Sequence, residues 1–322
     1  MRKEVILIGN PVAGGGASGR IDKAAHIIKS RGLEVRVLLT GKRGDAETFA
    51  RQISAPSAPP QPPLAKGGSR GGTLVIAAGG DGTYNEVANG LAHSDIPMAI
   101  LPLGTTSVLA KELHIPGDIG KSLDIALGGK ARNVHLGKIT FHPPIPPLSK
   151  GGCSSLLTRY FLLMAGIGFD GETIFGISER VKKLTGKGAY IISGLKTVLR
   201  YNPPLLTIKA QDRTVAGYAA IVSKASCYGG AFRVAPDADL EDPSFYVFVT
   251  HKKGRLDLIR YVAGVVTGGH LKHPDISYFR AEGLSVEGHA HIQIDGDYGG
   301  VTPATLSIAR DALKLVRPVP SS

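Results

Sequence analysis

Thr73-Leu74-Val75-Ile76-Ala77-Ala78-Gly79-Gly80-Asp81-Gly82-Thr83 is an apolar strand sequence that runs without a spacer into a glycine turn. An unbroken apolar run such as 74–78 suits a strand covered on both faces, the kind found in parallel sheets. Gly79, Gly80 and Gly82 let the backbone approach a polyphosphate, and amides opening the helix expected at 84–91 can point at it. Asp81 sets a carboxylate in the same turn, where it can hold Mg²⁺ or accept a hydroxyl proton. A lone G-x-G would carry little weight, but this five-residue string after a buried strand carries much more.

The flanking sequence repeats the pattern. Strands are expected at 4–8, 34–39, 73–78 and 98–101, and helices at 21–31, 45–53 and 84–91. Short apolar runs separated by amphipathic helices predict a parallel sheet with helices on both faces, whose ligands bind beyond the carboxyl ends of the strands. Two more glycine loops fall at that edge. Asn10-Pro11-Val12-Ala13-Gly14-Gly15-Gly16 follows the first strand, and Pro102-Leu103-Gly104-Thr105-Thr106 follows the fourth. The G-x-x-x-x-G-K-[ST] pattern is missing, and so is a Rossmann G-x-G-x-x-G followed by its ribose-binding acid, so phosphate must be held by another glycine architecture.

After about residue 133 the texture changes. Strands are expected at 134–140, 158–165, 205–210, 215–222, 245–250, 285–287 and 290–295, with helices at 173–183, 190–200 and 255–267. The predicted fold class is therefore an α/β N-terminal domain, residues 1–133, followed by a mainly antiparallel β domain, residues 134–302. The stretch 305–310 offers a return, so 303–322 is grouped with the first domain. The helix at 255–267 sets Leu256, Ile259, Ala263 and Val266 on one face, a stripe expected to pack into the core. Pro62-Pro63-Leu64-Ala65-Lys66-Gly67-Gly68 is echoed by Pro146-Pro147-Leu148-Ser149-Lys150-Gly151-Gly152. Proline and glycine at that density do not pack, so 55–72 and 142–154 are read as flexible, dispensable insertions.

Composition narrows the function. The 322 residues, 43% apolar and 20% charged, suit two moderate domains with real cores. Cys153 and Cys227 give neither a disulfide framework nor a metal-ligand spacing, which fits a reducing compartment. The apolar stretch 160–169 falls far short of the roughly 20 residues that span a bilayer, and the first apolar run is too short for a signal-peptide core. A net charge of +12 would serve nucleic acid, an anionic membrane or phosphate-bearing substrates. The basic residues are scattered, the tightest groups being Lys182-Lys183 with Lys187 and His251-Lys252-Lys253 with Arg255. No aromatic residues interleave with them, so nucleic acid is not the expected partner. His270 with His273 and His289 with His291 have metal-compatible spacing but no third ligand nearby in sequence, and are read as surface histidines.

Taken together, Asn10-Pro11 with Gly14, Gly79-Gly80-Asp81-Gly82-Thr83 with Asn85-Glu86, and Pro102-Leu103-Gly104-Thr105 resemble the diacylglycerol and sphingosine kinase family, including its bacterial lipid kinases. The resemblance continues through Gly166-Ile167-Gly168-Phe169-Asp170, Val234-Ala235-Pro236-Asp237-Ala238 and Ile294-Asp295-Gly296-Asp297. NAD kinases and phosphofructokinases share the glycine–aspartate motif but not the whole ordered set.

The resemblance implies an ATP-binding α/β domain, a β-rich lipid-substrate domain and a catalytic cleft between them. It implies an ATP-dependent, Mg²⁺-requiring kinase acting on a lipid hydroxyl, diacylglycerol-like or another lipid alcohol. Such an enzyme would be cytoplasmic and peripheral to an anionic membrane surface. Asn10, Pro11, Val12, Ala13, Gly14, Thr40, Gly79, Gly80, Asp81, Gly82, Thr83, Asn85, Gly104 and Thr105 would line the nucleotide. Asp297 would accept the proton with Asp295 beside it, Asp81 being the other candidate base, and Asp239, Asp242 and Ser244 would bind a structural magnesium ion. Three departures stand out: Ser107 replaces a frequent asparagine, Pro243 a usual glycine, and Asp297 a usual glutamate. The competing readings are an NAD kinase-like enzyme with a soluble acceptor and a non-catalytic nucleotide- or lipid-binding protein.

Overall fold

The computed structural model describes residues 4–55, 72–104, 107–142, 157–169, 203–230 and 232–319. The chain forms two compact units, one from residues 1–136 with 310–322 and the other from residues 137–309. The division falls within two strands, three residues beyond the 133/134 boundary and seven beyond the 302/303 boundary read from the sequence. The expected helices at 173–183 and 190–200 lie outside the described residues, as do Thr105, Cys153, Asp170, Lys182, Lys183 and Lys187. So do 56–71 and 143–154, nearly all of the two proline-rich segments.

The first unit contains β1 (Glu4–Gly9), α1 (Ala17–Ser30), β2 (Glu34–Leu39), α2 (Asp45–Ser54), β3 (Thr73–Gly79), α3 (Asp81–Leu91), β4 (Met98–Pro102), α4 (Val108–Glu112) and α5 (Ile119–Gly128). Four parallel strands lie in the order β2-β1-β3-β4. Val5, Leu7, Ile8, Val75 and Ile76 are completely buried, because strands inside a parallel sheet are covered on both faces. The edge strand β2 leaves Val37 and Leu39 exposed. One face packs against α1 and α5 through Ile21, Ile28, Leu123 and Ala126. This order makes β1 and β3 neighbours whose chains leave in opposite directions, a switch point that opens a crevice at their carboxyl ends.

The second unit contains β6 (Thr158–Phe161), β7 (Met164–Ile167), β8 (Leu206–Ala210), β9 (Thr214–Gly217), β10 (Ala219–Ser223), the short pair β11 (Cys227–Tyr228) and β12 (Phe232–Arg233), and β13 (Phe245–Thr250). Then come α6 (Arg255–Thr267), β14 (Ile276–Ala281), β15 (Gly283–Glu287), β16 (His291–Ile294) and β17 (Asp297–Val301). Strand β5 (Lys130–Phe141) leads into this unit, and β18 (Ala304–Arg317) leads out of it and ends parallel to β4. One antiparallel sheet runs β14-β13-β10-β7-β16-β17, and β15 pairs with both β8 and the start of β18. Phe161, Ile167, Ile208, Val222, Phe245, Val247, Leu284, Ile292 and Leu306 form the sandwich core. The Phe161 and Phe245 rings stack at 5.7 Å.

The expected strand 158–165 is broken at Leu162-Leu163, and 215–222 is broken at Tyr218. Helices α4 and α5 and strands β14 and β17 were not anticipated. The reading of α6 needs correction. Its buried residues are Leu258, Tyr261 and Gly264, whereas Leu256 is 82% exposed and Ile259 and Val266 are each 55% exposed. The helix is docked by the neighbouring face: the Tyr261 hydroxyl donates to Asp275 at 2.6 Å, and Gly264 lies against His270. The predicted apolar stripe therefore faces out.

Candidate functional site

Each glycine loop owes its place to a backbone constraint. Asn10 N–H donates to Ala78 O at 2.9 Å, tying the loop after β1 to the end of β3, and Asn10 Oδ1 accepts from Val12 N–H at 3.0 Å. Leu103 and Gly104 N–H both donate to Gly79 O, at 2.9 and 3.1 Å, drawing the third loop against the second. Gly14 has φ +141°, and a Cβ there would sit 3.0 Å from Leu103 O. At Gly104 a Cβ would sit 3.4 Å from Gly80 Cα and 3.6 Å from Ala13 O. The three loops thus form one continuous backbone surface at the switch point, and side chains there would separate them. Thr40 joins the same edge, its N–H donating to Gly9 O at 2.9 Å. Val12 is 84% exposed, Pro11 and Asn85 are partly exposed, and Thr83 is buried.

Arg20, which the motif reading missed, braces this surface from α1. Its guanidinium donates to Leu103 O at 3.0 Å, Pro102 O at 2.8 Å and Gly117 O at 3.1 Å. Nothing in the sequence singles out one arginine in a helix's first turn. Tyr84 is also hidden: its buried hydroxyl donates to Gly79 O at 2.8 Å and accepts from Ser107 Oγ at 3.4 Å. Burial pushes that phenol well above its ordinary range. Ser107, the residue standing where asparagine is frequent, caps α4 by accepting from Ala110 N–H.

Asp81 does not present a bare carboxylate. Its oxygens accept from the first two amides of α4, Val108 N–H at 2.9 Å and Leu109 N–H at 3.0 Å. Burial raises its pKa, and these two bonds partly oppose the rise. The side chain is a clamp between the glycine turn and α4, so we do not carry it forward as a base or metal ligand. Glu86 has a similar role one turn later, accepting from Gly44 and Ala46 N–H at the start of α2.

In the second unit, Asp295-Gly296 forms the two-residue turn joining β16 to β17, with φ of 48° and 88°. Aspartate followed by glycine is suited to a turn that needs both residues at positive φ. The buried Asp295 carboxylate accepts from Leu162 N–H at 2.8 Å and from Leu163 and Met164 N–H at 2.9 Å each. Three amide donors hold the carboxylate in place, so Asp295, expected as a chemical partner, is placed as an anchor. The same bonds explain why the strand expected at 158–165 breaks at Leu162-Leu163. Asp297, the first residue of β17, is half-buried on this fixed hairpin.

Asp239, Asp242 and Ser244 come together, but not as an open metal site. The Lys224 ammonium, fully buried, donates to Asp239 O at 2.9 Å, Ser244 O at 3.3 Å and Asp242 O. Arg280 donates to Asp242 Oδ1 at 2.7 Å and to Ser244 Oγ at 2.7 Å. Asp239 Oδ1 accepts from Glu241 N–H at 2.9 Å. These atoms already serve two cations and a backbone amide, so the residues do not fit the implied magnesium ion. Hydrogen bonding to Arg280 holds the Asp242 pKa below the ordinary carboxylate value. Burial pushes Lys224 down to about 8, which leaves it charged at neutral pH.

A cavity of about 460 Å³ opens in the second unit. Its lining is almost wholly apolar and includes Ile167, Phe169, Ile221, Phe248, Val262 and Val265. α6 walls it on one side through Leu258, Tyr261 and Val265, with Val262 and Val266 both lining it and reaching solvent.

Comparison with known proteins agrees with this architecture. Residues 4–139 match the diacylglycerol kinase catalytic domain, and residues 165–317 match the YegS C-terminal NAD kinase beta sandwich-like domain. A diacylglycerol kinase of Staphylococcus epidermidis is 27% identical over 325 aligned positions, covering 99% of this chain and 93% of the relative. The crystal structure of a diacylglycerol kinase from Bacillus anthracis superposes with a TM-score of 0.70 at 20% identity, covering 99% of this chain and 98% of that one. Yeast NADH kinase shares the fold more distantly, with a TM-score of 0.53 at 9% identity over 99% of this chain and 85% of its own. The chain belongs to the diacylglycerol kinase family, as a member that joins the diacylglycerol kinase catalytic domain to a YegS-type C-terminal domain.

Proposed function

We propose that this protein transfers the γ-phosphate of ATP to a hydroxyl group of a lipid, diacylglycerol-like or another lipid alcohol. Phosphoryl transfer needs positioning and charge neutralisation more than covalent chemistry. The loops at Asn10–Gly14, Gly79–Thr83 and Gly104 offer closely approachable backbone for the nucleotide's phosphates. Mg²⁺ would arrive with the nucleotide and neutralise its charge. Among the described residues no cluster of three His, Cys, Asp or Glu side chains is gathered for a free ion, so we place the metal on ATP. Asp297 is the proposed proton acceptor, set on a hairpin that Asp295 fixes from within.

The observation that carries the lipid reading is the 460 Å³ apolar cavity, within the size range of small-molecule pockets. A soluble dinucleotide acceptor would need many polar partners, whereas among the described residues this lining is apolar apart from Thr250 and the Tyr228 and Tyr261 hydroxyls. Support for a membrane-surface setting comes from α6. Exposed Leu256, Ile259 and Val266 follow directly on Lys252, Lys253 and Arg255, a pairing suited to an anionic interface. Among the described residues no helix is long and apolar enough to cross a membrane.

The test is a panel of acceptors with γ-labelled ATP: lipid alcohols in mixed micelles against NAD and NADH in buffer. Label in the lipid fraction is the expected result. Label in the dinucleotide alone would replace this reading with the NAD kinase-like one, and nucleotide binding without transfer to any acceptor would favour the non-catalytic one.

A further inference from the structure

The loop 239–244 gathers three backbone carbonyls, those of Asp239, Asp242 and Ser244, around one point deep in the second unit. Converging carbonyl oxygens form a cation site, because each presents the negative end of a dipole to the same place. The occupant here is the side chain of Lys224, which follows β10 and has no solvent exposure. An ammonium group has three protons to donate, and three carbonyls receive them. Around it the charges balance: Lys224 and Arg280 stand against the carboxylates of Asp239 and Asp242. Adding a divalent ion would leave that cluster two positive charges in excess, or would require the ammonium to be expelled.

We propose that Lys224 is a built-in cation that holds the 239–244 loop in place of a divalent metal, so that the second unit is a metal-independent member of its fold. The loop carries Pro243 at a position where the resemblance leads one to expect glycine. A carbonyl cage closed on a tethered ammonium has no need to open and close around an exchanging ion, and a stiff residue suits it. The same lysine is anchored at its backbone, where Lys224 N–H donates to Leu163 O at 2.8 Å and Ala225 N–H to the same oxygen at 3.1 Å. Leu163 N–H in turn donates to Asp295. The cation, the loop and the Asp295 hairpin are therefore joined through one residue. None of this depends on the activity proposed above.

Calorimetric titration of the nucleotide-free protein with MgCl₂ tests the proposal at neutral pH, alongside melting curves in Mg²⁺ and in EDTA. The expected result is no saturable Mg²⁺ site sensitive to Asp242→Asn, and the same Tm in both buffers. A stoichiometric site that Asp242→Asn abolishes would overturn the proposal. Lys224→Met keeps the stem and removes the charge, and is expected to lower Tm by roughly 5–10 °C. A wild-type Tm for that variant would also overturn it. In Lys224→Ala, methylammonium should restore part of the lost Tm and tetramethylammonium, which cannot donate, should not. Equal effects of the two ions would refute the hydrogen-bonded cage. If neither variant folds, the wild-type titration decides alone.

Discussion

Asp81→Asn separates two accounts of the glycine turn. If Asp81 acts on phosphate or metal charge, the amide should abolish turnover and leave the fold untouched. The geometry argues otherwise. Both oxygens accept from α4 amides, at 2.9 and 3.0 Å, and asparagine has one acceptor oxygen to offer two donors. Losing one charge-assisted bond costs roughly 1.5–3 kcal/mol, and an amide left facing an NH₂ group costs about 1–3 kcal/mol more. Because burial raises the pKa of Asp81, removing the charge returns part of this, and a net loss of roughly 2–4 kcal/mol is expected. That corresponds to a Tm drop on the order of 5–10 °C. If about 1.4 kcal/mol of the disturbance reaches the nucleotide surface, the KM for ATP rises roughly tenfold. Val108→Pro is the companion variant. It deletes one of the two donors without touching the carboxylate, at a first helical position that suits proline. Ser107 before it is already extended, as the residue before proline prefers. Differential scanning calorimetry and initial rates over ATP concentration should show Val108→Pro reproducing some of both defects. A folded Asp81→Asn with wild-type Tm and KM but no kcat, beside a fully active Val108→Pro, would refute the clamp.

Two further outcomes follow from the second unit. Arg280 holds the Asp242 pKa below the ordinary carboxylate value, so this pair adds stability above about pH 4 that is lost as pH falls through the depressed folded value. Arg280→Met should therefore flatten the acid side of the Tm-versus-pH profile, and an unchanged acid limb would contradict the pairing. At the start of α6, neutralising Arg255 together with Lys252 and Lys253 just before the helix should weaken binding to anionic vesicles by up to about 3 kcal/mol at low salt, at roughly 1 kcal/mol per basic residue. Leu256→Asp with Ile259→Asp should weaken it at all salt concentrations, and sedimentation that ignores both changes would exclude this helix as the contact.

Much of the first unit was readable because three of its strands, β1, β3 and β4, are apolar runs closed by glycine or proline. Residues 34–39 match β2, and the other three runs fall one residue short of β1, β3 and β4. The glycine loops were readable for the same reason, since a chain that must pack backbone on backbone, as at Gly14 and Gly104, has few alternatives to glycine. α1 starts four residues before its expected position, and that start left no capping signal because Gly16 precedes it without a side-chain cap. α5 did leave a trace, Asp118 capping Lys121 N–H after Pro116-Gly117, which the wider periodicity obscured. The roles of Asp81 and Asp295 were not readable, since an aspartate in a motif looks the same whether it faces solvent or three amides. Lys224 was invisible for a related reason: its partners are carbonyls, which every residue has. The α6 stripe failed because periodicity reports that a helix has faces, not which one the sheet covers.

The lipid-kinase proposal itself rests most directly on where the label goes. Wild-type protein, γ-labelled ATP and Mg²⁺ should be incubated with a long-chain lipid alcohol in mixed micelles, and the product identified by mass spectrometry, in parallel with Asp297→Asn. A phosphorylated lipid is expected, with its rate of formation falling on the order of 10²–10⁴-fold in the variant while the affinity for ATP is unchanged. A phosphorylated water-soluble acceptor in place of the lipid, or an Asp297→Asn variant as fast as wild type, would contradict it.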